Sequence, residues 1–175
     1  FAYSDCAEVD EHMRPLTYGP GFAFGYGTYY EDTYQGAKLQ VVRQPAINPK
    51  TIRHIVGVPN HLRAWRRETY HGLGGHNRRL SIADDYELLV RTFLETRMVH
   101  IPTLCYLQFL STDREQRNTQ SVARGDIQRR VRSIASHYEA SIRNRFAELG
   151  LVDWASQEHP GNPLLSPSRF GVEEQ

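Results

Sequence analysis

Apolar positions recur at helical spacing from residue 84 onward. Asp85, Leu88 and Leu89 stand at i, i+3 and i+4, and Leu88, Phe93 and Leu94 can face a core. This pattern predicts a helix that starts at Asp84 or Asp85, with that aspartate as its N-cap, and ends near Thr96. A longer pattern places Ile127, Val131, Ile134, Tyr138, Ile142 and Phe146 at steps of 4, 3, 4, 4 and 4. It predicts one helix over residues 124–149, with a single apolar stripe against the sheet and Gly150 as its stop. Elsewhere the apolar runs are short. Residues 1–10 read as the end of a buried strand running into a loop, with acids at 5, 8 and 10 and Pro15 closing it. Residues 38–43 read as a strand, and 98–101 and 104–109 as two strands broken at Pro102. Residues 52–58 form a further apolar stretch around His54. Residues 62–70 read as a strand end entering a short helix, which Gly72, Gly74 and Gly75 stop. In 18–36, glycines at 19, 21, 25 and 27 argue against a regular helix. The alternation of Phe22, Phe24 and Tyr26 predicts a short twisted strand there, with its aromatics on one face. Those rings either cover a sheet or offer a stacking surface to sugar rings. Residues 111–119 read as a polar loop and 155–175 as a mobile tail.

Composition changes this picture little. A chain of 175 residues suffices for one domain with a real core, and 39% hydrophobic with 23% charged residues is the balance of a soluble globular protein. A formal net charge of +1 argues against a protein whose main task is gripping nucleic acid, although basic residues gather at 63–67 and 124–132. Cys6 and Cys105 are too few for a disulfide framework and have no CxxC spacing, which points to a reducing, cytoplasmic setting. No run of about 18 apolar residues exists to span a membrane. There is no signal peptide, and Phe1 is not a start methionine, so the expectation is a piece of a longer protein.

Candidate chemistry concentrates after a glycine pair. Asp84, Asp85 and Glu87 pack three carboxylates into four positions, and like charges that close need a counter-charge or hydrogen-bond donors. Arg91 serves Glu87 at i+4. Asp84 and Asp85 are left at the helix mouth, either as a solvated helix start or as a general base for a hydroxyl. His100 stands between apolar neighbours, where it is either a satisfied core residue or a ligand to a metal. The turn over 57–67 brings exposed amides and arginines that suit an anionic diphosphate. GxGxxG, Walker, HExxH and GxSxG motifs are absent from the chain.

The order of these pieces carries a resemblance. Pro59-Asn60-His61-Leu62-Arg63-Ala64-Trp65-Arg66-Arg67, then Gly74-Gly75-His76-Asn77, then Asp84-Asp85-Tyr86-Glu87-Leu88-Leu89-Val90-Arg91 resembles the second half of family 2 glycosyltransferases. The last run matches that family's motif acid-Asp-x-acid-Leu-x-x-Arg. The resemblance spans about residues 45–110. It implies an α/β fold, the C-terminal portion of a GT-A sandwich, with a mixed sheet flanked by helices and a long C-terminal helix. It also implies transfer of a sugar from a nucleotide-sugar donor to a saccharide or lipid-linked acceptor, with inversion and with Mg2+ or Mn2+ on the diphosphate. Enzymes of this kind build surface polysaccharide or modify lipid-linked sugars, so the inner face of a membrane is a further expected place of work. Asp85 would be the catalytic base and Asp84 its acidic partner. Glu87 and Arg91 would hold the helix. Asn60 and Arg63 would approach the donor, and Trp65, Gly74, Gly75 and His76 would shape the donor-sugar and acceptor side. His100 is similar to the family's histidine near the metal. The chain lacks Asp-x-Asp. The expected organisation is therefore a partial catalytic domain over 1–150, its nucleotide-binding half upstream, and a flexible tail over 151–175. On its own such a piece is expected to bind donor poorly.

Two other readings use the same residues. One is a non-catalytic carbohydrate-binding or scaffold module that keeps the fold. The other is a metal-dependent hydrolase built on Asp84, Asp85 and His100, with His76 as the nearest further ligand. Oligomeric state is not readable from these residues.

Overall fold

A computed structural model describes residues 1–19, 21–110 and 114–156, with backbone alone over 114–124. Its spine is β1 (Ala2–Val9), a strand buried almost throughout because it is paired on both edges. β5 (Val99–Phe109) runs parallel along its whole length. Two antiparallel strands share the other edge: β3 (Ala37–Arg43) pairs at Cys6 and Ala7, and β4 (Arg63–Ala64) at Ala2 and Tyr3. β2 (Thr28–Tyr34) closes a hairpin with β3. The result is a five-stranded mixed sheet with β1 inside it and β5 as the parallel edge strand. This is an α/β architecture, an open sheet flanked by helices.

The helical layer consists of α1 (Arg67–Gly72), α2 (Asp84–Glu95), α3 (Arg114–His137) and α4 (Glu139–Glu148). Tyr86, Leu89, Val90 and Phe93 of α2 meet Val131 and Ile134 of α3 and Ile142 and Phe146 of α4, with Ile52 and Val58 beneath them. A smaller core of Ala7, Val9, Leu39 and Val41 lies on the sheet itself. Arg53, buried at the end of a short 3-10 turn (Thr51–Arg53), ties the layers together. It donates to both carboxylate oxygens of Glu139 (2.8 and 2.9 Å) and of Asp153 (2.9 and 2.7 Å). Asp153 is thereby clasped to the body, and Ala155 and Ser156 are buried, so residues 151–156 belong to the packed domain rather than to a tail. Residues 157–175, the rest of that expected tail, lie outside the described residues. Among the described residues no helix is long and apolar enough to cross a membrane.

Four expected elements differ. The strand expected around Phe22, Phe24 and Tyr26 is a 3-10 turn, Phe22–Gly25, because Ala23 and Phe24 take left-handed backbone angles (φ 47° and 60°). β5 is not broken at Pro102. The parallel register slips between Ser4 and Asp5, so Pro102 and Thr103 fall in a bulge. A bulge on an edge strand tolerates a residue with no N–H. α3 already starts at Arg114, so the polar loop does not reach Thr119; residues 111–113 lie outside the described residues. The single long helix is two, interrupted at Tyr138 (φ −95°, ψ 5°).

Candidate functional site

Side chains alternate along a strand, so Tyr3, Asp5 and Ala7 of β1 project from one face and Ser4, Cys6 and Glu8 from the other. Cys6 and Glu8 line a cavity of about 500 Å³. Val42 and Gln44, at the end of β3, continue the floor. Ile55, Val56 and Val58, in and after the second 3-10 turn (Ile55–Gly57), make an aliphatic wall, and Tyr18 and Phe22 make an aromatic one. Asn60, Arg63, Asp85 and, from α3, Gln128 complete the lining. Three residues singled out in the sequence therefore meet in one cavity.

Asp85 reaches the cavity because α2 begins one residue before it. The N-cap is Ala83, not an aspartate; its left-handed backbone (φ 60°, ψ 23°) turns the chain into the helix without a side-chain cap. Asp84 and Asp85 then occupy the first turn, where acids suit the helix dipole. One oxygen of Asp85 accepts the Tyr86 N–H (2.8 Å), and the other accepts Arg63 Nη1 (2.9 Å). The Asp85 side chain is 40% exposed and that of Arg63 only 10%. The carboxylate is thus oriented by a buried cation and open to whatever enters from solvent. Arg63 is itself fixed: its Nε donates to the carbonyls of Pro59 (2.8 Å) and Asn60 (3.1 Å).

The segment carrying Asn60 and Arg63 is anchored to the sheet through Gln44. The Asn60 N–H donates to Gln44 Oε1 (3.0 Å), Gln44 Nε2 donates to Cys6 Sγ (3.2 Å), and the Gln44 N–H donates to Asp5 Oδ1 (2.9 Å). Asn60 Nδ2 also reaches Gln108 of β5 (3.4 Å). Glu8 is nearly inaccessible, at 4% exposed, and accepts the Tyr18 hydroxyl at 3.0 Å. Burial pushes its carboxyl above the ordinary glutamate value, and the Tyr18 hydrogen bond offsets part of that rise. Burial, together with nearby Glu8, pushes the Cys6 thiol up to about 11, against a lowering hydrogen bond from Gln44, so it is no nucleophile at neutral pH.

The remaining singled-out residues lie outside this cavity. Asp84 is half-buried and does not line it. Trp65 packs on Phe1 (ring centroids 4.6 Å apart) and donates to Thr92 Oγ1 (2.9 Å), which makes it a strut between β4 and α2. Gly74 and Gly75 take positive φ (81° and 64°), and this turn offers carbonyls to Arg91, from Leu73 and, at 2.8 Å, from Gly75. Arg91 also grips Glu87 at 2.5 and 2.8 Å, as the i+4 spacing implies. His76 lies within hydrogen-bond distance of Tyr70 through Nδ1 (2.8 Å). Gly74, Gly75, His76 and Arg91 border a separate concavity of about 350 Å³ with Arg78 and Arg79.

His100 pairs with Tyr3 across the parallel ladder and stacks on its ring, and its Nε2 lies 2.6 Å from Asp5 Oδ1. Tyr3 and Asp5 alternate with Cys6 and Glu8, so His100 stands on the sheet face away from the cavity. The oxygens of Asp5 are already engaged by Gln44, His100 and Tyr30 (3.2 Å). No group of three histidine, cysteine or acidic residues gathers for a metal among the described residues. Among the described residues, the groups around His100 do not by themselves fit a divalent ion.

Glu8, Tyr18, Gln44 and Gln128 of the site carried no sequence assignment, whereas Phe22 is one of the rings read as a sheet cover or a stacking surface. The available signal was the pair of acids at 5 and 8 inside an otherwise buried strand, since such groups persist only with partners or a purpose. Comparison with protein-family models, curated proteins and solved structures finds no match.

Proposed function

We propose that this chain is the acceptor half of an inverting glycosyltransferase related to family 2 and the GT-A fold, with Asp85 as its general base. The observation that carries the reading is the Asp85 carboxylate itself. It stands on a cavity of ligand size, held by a buried arginine and exposed on its free side. In the proposed step an acceptor hydroxyl approaches Asp85, which takes its proton as the oxygen bonds to the anomeric carbon of a nucleotide-sugar. The bond from that carbon to the diphosphate breaks, and its electron pair leaves with the diphosphate, so the configuration inverts. Arg63 keeps the base aimed, and Asn60 fixes the segment that carries Arg63. Mg2+ or Mn2+ belongs to the same proposal as a companion of the donor diphosphate, with ligands beyond the cluster around His100.

The test is turnover by the full-length protein with a panel of UDP- and GDP-sugars and manganese, wild type against Asp85→Asn. Loss of a general base predicts a rate lower by about a hundredfold or more. Equal turnover would reduce Asp85 to a helix-end charge. A non-catalytic carbohydrate-binding module is the second reading, and the aromatic wall of the cavity favours it. Sugar binding without turnover of any donor would move it ahead.

A further inference from the structure

The aromatic wall is built with unusual care. The rings of Tyr18 and Phe22 stack at 4.5 Å with planes 10° apart, and the Tyr29 hydroxyl accepts the Tyr18 N–H at 2.8 Å. Phe22 opens the 3-10 turn in which Ala23 and Phe24 are both left-handed, a costly backbone for residues other than glycine. Gly27 makes room for the Phe22 ring, since a Cβ there would stand 2.2 Å from a ring carbon. Ile55 and Val56 line the same cavity. The floor carries the Glu8 carboxyl, and Asn60, Arg63 and Asp85 supply polar groups.

A flat aromatic wall beside hydrogen-bonding groups suits a ligand with an apolar ring face and a hydroxyl edge. A lipid chain would leave Glu8 and Asn60 without use. A phosphorylated ligand would meet two carboxylates, and Arg63, the cation here, is already spent on Asp85. About 500 Å³ accommodates a small saccharide. Resting on the transferase reading above, we propose that this cavity is the acceptor subsite and that its ligand is a neutral saccharide, stacked on an outer face of the Tyr18–Phe22 pair, with Glu8 holding its hydroxyls and the next hydroxyl brought to Asp85. Glu8, Tyr18 and Phe22 then set acceptor specificity. Glu8 already accepts the Tyr18 hydroxyl at 3.0 Å, and its carboxyl oxygens can accept a sugar hydroxyl in the same way.

Saturation-transfer NMR on the full-length protein tests this, with maltose, cellobiose, lactose, mannobiose and chitobiose as probes and indole as an apolar control. At least one disaccharide should receive saturation through the protons of one ring face. Phe22→Leu and Glu8→Gln should each weaken its affinity by about tenfold, with the folded spectrum retained. Asp85→Asn should bind the same sugar as wild type while failing in transfer. Wild-type binding that neither Phe22→Leu nor Glu8→Gln alters would overturn the proposal, as would binding of indole but no sugar, or of neither. Those outcomes leave the transferase reading standing as long as Asp85→Asn abolishes turnover. Loss of the transferase reading alone would show as intact sugar binding with no effect of Asp85→Asn on any reaction.

Discussion

Two buried glutamates, Glu8 and Glu87, illustrate how the same side chain is tuned in opposite directions. Burial raises both. At Glu87, hydrogen bonds from Arg91 (2.5 and 2.8 Å) and from the Tyr138 hydroxyl (2.7 Å) outweigh burial and hold the carboxyl below the ordinary glutamate range. Its stabilisation is present above that range and fades as pH falls through the lowered value. At Glu8, one hydrogen bond from Tyr18 does not offset burial, so the carboxyl is held above the ordinary glutamate range. Its contribution is present below the ordinary range and lost as pH rises through the raised value. Urea unfolding as a function of pH separates the two. Glu87→Gln should cost about 2–3 kcal/mol near neutrality, less than the ~3–5 kcal/mol of a fully buried broken pair, since Arg91 keeps the carbonyls of Leu73 and Gly75. Glu8→Gln should instead gain relative stability as pH rises above the ordinary glutamate range. A Glu8→Gln protein whose stability tracked wild type across that window would show that Glu8 is not buried as described.

Among the elements, the clasp at Arg53 has the clearest consequence. It joins a 3-10 turn, the start of α4 and the segment after Gly150 through two carboxylates that are 17% and 6% exposed. Arg53→Ala should cost about 3–5 kcal/mol, because it removes the shared cation from two buried acids. Hydrogen exchange should rise in α4 and residues 151–156 before it rises in β1; uniform loss of protection would contradict a local clasp. α2 and β3 were legible within a residue or two, because a 3.6-residue apolar period and a compact apolar run survive any packing. The break at Tyr138 was legible in principle. Three successive steps of four residues advance about 40° each, so Ile134 and Phe146 drift about 120° apart around a straight helix. The kink at Tyr138 returns Ile142 and Phe146 to the same core as Ile134. The turn at Phe22–Gly25 was not legible, since alternating aromatics look like a strand and only the left-handed angles at Ala23 and Phe24 say otherwise. Pro102 misled for the opposite reason: a bulge on an edge strand hides a residue that would end a central one.

At the scale of the whole molecule, the candidate site is legible only where it is linear. Asn60, Arg63 and Asp85 lie within one stretch of chain. Glu8 and Gln44 reach the same cavity because β1 and β3 pair, and Tyr18 because Glu8 and Tyr29 hold it there; no local spacing encodes that. The sheet and the site are coupled through Gln44, which is 5% exposed. Its side chain accepts the Asn60 N–H, the carbonyl of Asn60 accepts Arg63 Nε, and Arg63 holds Asp85. Gln44→Met keeps the volume but leaves the Asn60 N–H without that acceptor. It should cost about 1–3 kcal/mol of stability for the lost buried hydrogen bond. If Asp85 is the base, the same change should also slow transfer by about tenfold through misplacement of Arg63. A structural defect and a positioning defect separate in the double mutant, because residues acting as one unit are not additive. In the Asp85→Asn background, Gln44→Met should lower stability by the same amount as before and leave the residual transfer rate unchanged. A full further tenfold loss there would mean that Gln44 acts on transfer by a route that does not pass through Asp85.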